Sequence, residues 1–169
     1  MSDDLAALRD RLQILEDKEA IRSLLATIAR GTDRYDGQLL ASAIHADAVL
    51  DMGGKTMTGA AFATALRPPA IPRPGRMHLL GNERVEVVGD TARSESYLVS
   101  CQDVLVDGVR KTRIRAGRYI DRFERRGGEW KLAARTMVDE WSRIDTVGEA
   151  IEIIGHSGQP APHDISCQI

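Results

Sequence analysis

Leucines at positions 5, 8, 12 and 15 recur at helical spacing, and Ile21, Leu24, Leu25 and Ile28 take up the pattern again after a polar break. Asp17 is placed to cap the second run, so the stretch up to about Asp33 reads as two helices or one kinked helix. Asp36 can cap a short helix from Gly37 to Ile44. Ala48 to Thr58 reads as a small hairpin turning at Gly53-Gly54. Gly59 to Arg67 is a short helical segment stopped by Pro68 and Pro69. Four of the six prolines lie between Pro68 and Gly75, a rigid and irregular connection.

From Met77 the pattern changes to long extended segments, about Met77–Val88, Thr91–Val106, Val109–Arg126 and Glu129–Ser142. Gly89-Asp90, Asp107-Gly108 and Gly127-Gly128 separate them, and each suits a two-residue hairpin turn. Segments of this length call for bulges or strong curvature. Helices followed by an antiparallel meander predict an α+β fold. The expected form is a cone-shaped α+β barrel, with N-terminal helices packed on a strongly curved antiparallel sheet. Residues 1–142 form one domain in this reading. Residues 143–169 form a C-terminal extension whose Ile151, Ile153 and Ile154 sit among glycines and prolines, and which is expected to cover a pocket mouth or a neighbouring subunit.

Composition narrows the function classes. At 169 residues, 43% hydrophobic and 28% charged, the chain fits one soluble domain. A net charge of −2 demands neither nucleic acid nor an anionic membrane. The basic run from Arg110 to Arg118 alternates across strand faces without stacking aromatics, so it reads as a solvated face or an oligomer contact. The acidic N-terminus is not a secretory signal, no apolar stretch approaches the ~20 residues of a membrane span, and a cytoplasmic setting is expected. Cys101 and Cys167 form no CxxC motif, and His156, His163 and Cys167 match no zinc spacing, so no metal is expected. No glycine pair opens a helix, so no nucleotide is expected either, and the chemistry is read as cofactor-independent.

The chemical signal is Asp33 in Arg-Gly-Thr-Asp-Arg-Tyr-Asp and His78 in Met-His-Leu-Leu-Gly-Asn. An aspartate at a helix C-terminus is opposed by the helix dipole and seeks a cationic partner. An acid that orients an imidazole can move a proton on carbon. His45 reads as a structural residue of the helix-to-strand turn. Asp51 and Tyr97 each either line the cavity or meet solvent, and Arg135 either points inward or forms a surface or intersubunit ion pair.

These residues stand in a wider pattern. Ile21 to Asp36, His45-Ala-Asp-Ala-Val, Met77 to Asn82, Val85 to Ala92, Ala116 to Leu132 and Ala134-Arg135 together resemble the SnoaL-like branch of the NTF2-like superfamily. Its members include scytalone dehydratase, a lindane dehydrochlorinase and bile-acid dehydratases. The resemblance implies that Asp33 and His78 are a catalytic dyad and that Arg135 lies in the active site. It also places Ile28 where relatives carry a substrate-holding Lys or Tyr, and Ser100 where some carry another polar catalytic group.

The expected function is a lyase or isomerase, dehydratase-like, that abstracts a carbon-bound proton from a small hydrophobic cyclic substrate. Tyr97 or Arg135 would stabilise the enolate, with Ser100, Ile28 and Asp51 lining the site. A homodimer or homotrimer through the outer sheet face is expected. The alternative is a non-catalytic ligand-binding or assembly subunit, such as the β subunit of a ring-hydroxylating dioxygenase.

Overall fold

A computed structural model describes residues 2–71, 74–146 and 157–167. Helix α1 (Ser2–Asp33) is continuous, followed by α2 (Gly37–Ala43), β1 (Ile44–Asp51), β2 (Thr56–Thr58) and α3 (Gly59–Ala65). Four long strands complete the domain: β3 (Arg76–Val88), β4 (Thr91–Val106), β5 (Val109–Arg126) and β6 (Glu129–Thr146). A short 3₁₀ turn spans Ile165–Cys167.

Asp17 is not a cap. It sits inside α1 with 5% of its surface exposed, accepting from Arg125 Nη1 (2.8 Å), Trp130 Nε1 (2.9 Å) and Gln13 Nε2 (3.2 Å). Its sequence signature is that of a cap, but its role is to tie the helix to the β5–β6 hairpin. Asp36 does cap α2, accepting from the Leu39 amide at 2.9 Å.

The six strands form one sheet in the order β2-β1-β6-β5-β4-β3. β3 to β6 are an antiparallel meander, whereas β1 runs parallel to β6. The sheet is therefore mixed rather than wholly antiparallel. It is also open: β2 and β3 are its edges, and α1 packs along β3 where a closing strand would lie. The turns at Asp107-Gly108 and Gly127-Gly128 hold both residues at positive φ, as their sequences require. The last strand runs four residues past Ser142, to Thr146, because Lys111 to Arg115 of β5 still pair with it. Ile151, Ile153 and Ile154 lie outside the described residues.

One sheet face is buried under the helices. Ile21, Leu25 and Ile28 of α1 meet Leu40 of α2, Leu50 of β1, Val85 of β3, Phe123 of β5 and Leu132 of β6. Period-two alternation puts Ala92, Ser94, Ser96, Leu98 and Ser100 of β4 on this face. The register slips at Arg122/Phe123, where Leu132 and Ala133 are buried in succession, and again at Ala116/Gly117. At the second slip, a side chain on Gly117 would run into the Val138 carbonyl, so only glycine fits.

Candidate active site

The end of α1 positions the acid. Asp33 is the last helical residue, and Tyr35 follows in the left-handed region at φ 54°. The Asp36 amide donates back to the Gly31 carbonyl at 2.8 Å, which closes the helix and aims Asp33 sideways at β3. There one Asp33 oxygen accepts from the His78 backbone amide at 2.9 Å, and the other lies 2.5 Å from His78 Nδ1. The two side chains are nearly sealed, at 11% and 9% exposure for Asp33 and His78, so the contact is a desolvated one. The His78 amide and ring engage one carboxylate oxygen each, which fixes the orientation of both partners.

This geometry selects a tautomer. A carboxylate only accepts, so Nδ1 carries the hydrogen and Nε2 of the neutral ring holds the lone pair. Among the described residues nothing hydrogen-bonds to Nε2. Both Asp33 oxygens are engaged by His78, one through the backbone amide and one through the ring.

A cleft of about 350 Å³ opens beside the pair, between α1 and β3, lined by Ala26, Ala29, Arg30, Asp33, Arg34, His78, Leu80 and Glu83. That volume suits a single small ring compound. Arg30 and Arg34 were not singled out from the sequence. Their signal was present, because positions 26, 30 and 33 share a helix face with spacing of three and four. Both arginines also hold the C-terminal segment. Arg30 Nη2 donates to the Ser166 carbonyl (3.0 Å) and hydroxyl (3.1 Å). Arg34 donates to Asp164 (3.2 Å) and to the Arg76 carbonyl at the start of β3 (2.9 Å). Asp164 further accepts from the Gln159 amide, the Ser166 hydroxyl and the Ser166 amide, and these bonds, with Arg34 nearby, hold its carboxyl well below the usual carboxylate range. Residues 157–167 thus dock at the edge of the dyad cleft.

The remaining expected site residues lie elsewhere. Ser100 is the cross-strand partner of His78, on the same face and buried. Tyr97 is 49% exposed on the opposite face, since strand parity separates it from His78. It lines a groove of about 460 Å³ with Leu79, Val99 and Trp141, whose one charged lining residue among those described is Glu140. Arg135 is buried but committed: Nε and Nη2 donate to both oxygens of Asp121 at 2.8 and 2.7 Å, and the guanidinium stacks 3.8 Å from the Tyr119 ring centroid. It does not line the dyad cleft. Ile28 is 1% exposed within the apolar core, so it cannot take the place of a substrate-holding polar residue. Asp51 accepts from the Gly53 amide at 3.1 Å and shapes the β1–β2 turn. His45 holds the Glu124 carbonyl through Nε2 at 3.1 Å, a structural bond, and burial lowers its pKa. Among the described residues no group of His, Cys, Asp and Glu side chains is arranged to hold a metal, and no helix is long and apolar enough to cross a membrane.

Comparison with known proteins matches residues 13–136 to the SnoaL-like domain family. Solved structures share the fold over most of the chain. A type 2 hexachlorocyclohexane dehydrochlorinase superposes with a TM-score of 0.68 at 23% identity, covering 90% of this chain and 99% of its own. An NTF2-like protein with a cystatin-like fold from Novosphingobium aromaticivorans gives 0.65 at 30% identity, with 82% and 91% covered. A candidate scytalone dehydratase from the same organism gives 0.64 at 17% identity, with 88% and 95% covered. No curated protein sequence is matched.

Proposed function

We propose, from the premise that the chain belongs to the SnoaL-like domain family, that it is a cofactor-independent lyase or isomerase whose base is His78. The observation that carries this reading is the 2.5 Å contact between His78 Nδ1 and Asp33, with the second carboxylate oxygen pinned by the His78 amide. In the proposed reaction Nε2 takes a proton from a carbon next to an electron-withdrawing or leaving group. Asp33 keeps Nδ1 protonated and offsets the charge of the imidazolium that forms. The same imidazolium can return its proton to a departing hydroxyl, which makes dehydration and isomerisation two outcomes of one site. The dehydrochlorinase and the candidate scytalone dehydratase among the structural neighbours support elimination as the class. Arg30 and Arg34 supply positive charge on the cleft wall for a departing anion or a developing oxyanion, a role that Arg135, paired with Asp121, is not placed to fill. The cleft volume and the methyl groups of Ala26, Ala29 and Leu80 favour a small hydrophobic cyclic substrate. Residues 157–167 would help to exclude water from the proton transfer.

The test is a paired substitution. Against a panel of cyclic β-hydroxy ketones and chlorinated cyclohexanes, His78→Ala should lower turnover at least 10³-fold with an unchanged circular dichroism spectrum. Asp33→Asn should lower it roughly 10²–10⁴-fold, since the amide keeps a hydrogen bond but no charge. Near-normal turnover by Asp33→Asn would remove the dyad from the mechanism.

An assembly role is the competing reading, and the exposed outer sheet face with Leu79, Tyr97, Val99 and Trp141 favours it. It requires no activity, so wild-type-like binding of an iron–sulfur partner by His78→Ala would support it.

A further inference from the structure

The first half of α1 stands clear of the sheet. Residues 4–16 are all exposed, and within them Leu5, Leu8, Leu12 and Leu15 leave 50%, 58%, 53% and 62% of their surface open. These four recur at spacings of three, four and three, the a and d positions of two heptads. At roughly 100° per residue their stripe lies about 150° round the helix from Ile21, Leu25 and Ile28, which face the core. The chain's own sheet therefore cannot cover it. Leu5, Leu8 and Leu12 also precede residue 13, where the match to the family domain begins.

We propose that this stripe is the seam of a short parallel coiled coil, and that its occupant is the same segment of a second copy of the chain. The flanking charges select the partner and its direction. With leucines at a and d, Asp4 and Arg11 fall at g, and Arg9 and Glu16 at e. In a parallel pair each g residue meets the e residue five positions on in the other copy. Arg11 then meets Glu16, twice across the two-fold axis. An antiparallel pair centred on the same leucines turns about the level of Asp10 and brings Arg9 against Arg9 and Arg11 against Arg11. Two heptads are short, and isolated peptides of this length are barely helical. Here the helix is already formed and anchored at Asp17, so association orders little backbone. Because the stripe points away from the body, both domains can sit outside the seam.

The experiment is solution mass by light scattering on the full chain at concentrations from micromolar to 0.2 mM. Leu8→Glu/Leu12→Glu should halve the mass of the wild-type species while leaving the fold intact, since both leucines are exposed. Arg11→Glu alone and Glu16→Arg alone should each weaken association by roughly three- to tenfold, and the double swap should restore it. A wild-type monomer throughout the range would overturn the proposal. So would a mass unchanged by the leucine substitutions, which would move the contact to the outer sheet face. A double swap no better than the single ones would rule out the parallel direction.

Discussion

Arg135 and Asp121 hold each other in the interior, with 5% and 0% of their side chains exposed. Burial alone would push the guanidinium down, but the Asp121 carboxylate beside it more than offsets this and keeps Arg135 charged. Burial likewise pushes the Tyr119 phenol up, so its ring stays neutral beneath the cation. Such a pair is expensive to break and cheap to replace. Asp121→Ala should cost about 3–5 kcal/mol in urea unfolding, whereas Arg135→Met with Asp121→Leu should fall within about 1–2 kcal/mol of wild type. The double variant also separates structure from chemistry: if Arg135 serves only the fold, its turnover should match wild type, and a loss above tenfold would return Arg135 to the active site. The sequence carried Arg135 as inward or ion-paired, and the structure joins the two, because Asp121 is its direct neighbour across β5 and β6. Strand parity also decides Tyr97. Its type suits a phenolic donor, but the odd positions of β4 face away from the helices, a fact hidden in the sequence because Leu79, Tyr97 and Val99 make that open face apolar too.

Among the elements, α1 joins the β5–β6 hairpin through its apolar face and through one buried carboxylate. Asp17 gathers an indole N–H, a guanidinium and an amide, and Arg125 stacks 4.8 Å over the Trp130 ring that donates to the same oxygen. Removing it strands buried donors, so Asp17→Ala should destabilise the protein by about 2–4 kcal/mol. Trp130 fluorescence should report the change directly. Asp17→Asn should recover part of the loss; equal losses would show that the bonds, and not the helix contact, matter little. The strands and hairpin turns were legible because glycine-containing dipeptides mark each reversal and apolar spacing changes period at Met77. The parallel pairing of β1 with β6 was not, since no local signal distinguishes a strand that joins its neighbour in sequence from one that returns to the other edge of the meander. Asp17 suggests a helix start in the sequence yet lies inside a continuous α1, because a side chain that caps well also makes a good buried acceptor.

At the scale of the whole molecule, the C-terminal segment links helix, strand and cleft through Arg34 and Asp164. The folded Asp164 carboxyl lies below the value near 4 of an unfolded one. Its contribution is therefore fully present above that value and is lost only as pH falls through the depressed one. Proteolysis within residues 157–167 should stay unchanged from pH 7 to pH 4, and Asp164→Asn should accelerate it at pH 7. Deleting residues 147–169, which spares β6, should lower turnover several-fold if the segment shields the cleft; unchanged kinetics would make it a passive appendage. The parallel β1–β6 pair has a further consequence, for the order in which the chain is made. Ile44 must wait for Leu132, about 90 residues later, and at about 5–20 residues per second this is a delay of roughly 4–18 s. During that interval Ile21, Leu25, Ile28, Leu40 and Leu50 have left the ribosome, but Phe123 and Leu132, which cover them, have not yet been added. The nascent chain thus carries a half-built core into the cell, and a ribosome that stalls before β6 leaves a client for chaperones rather than a smaller folded protein.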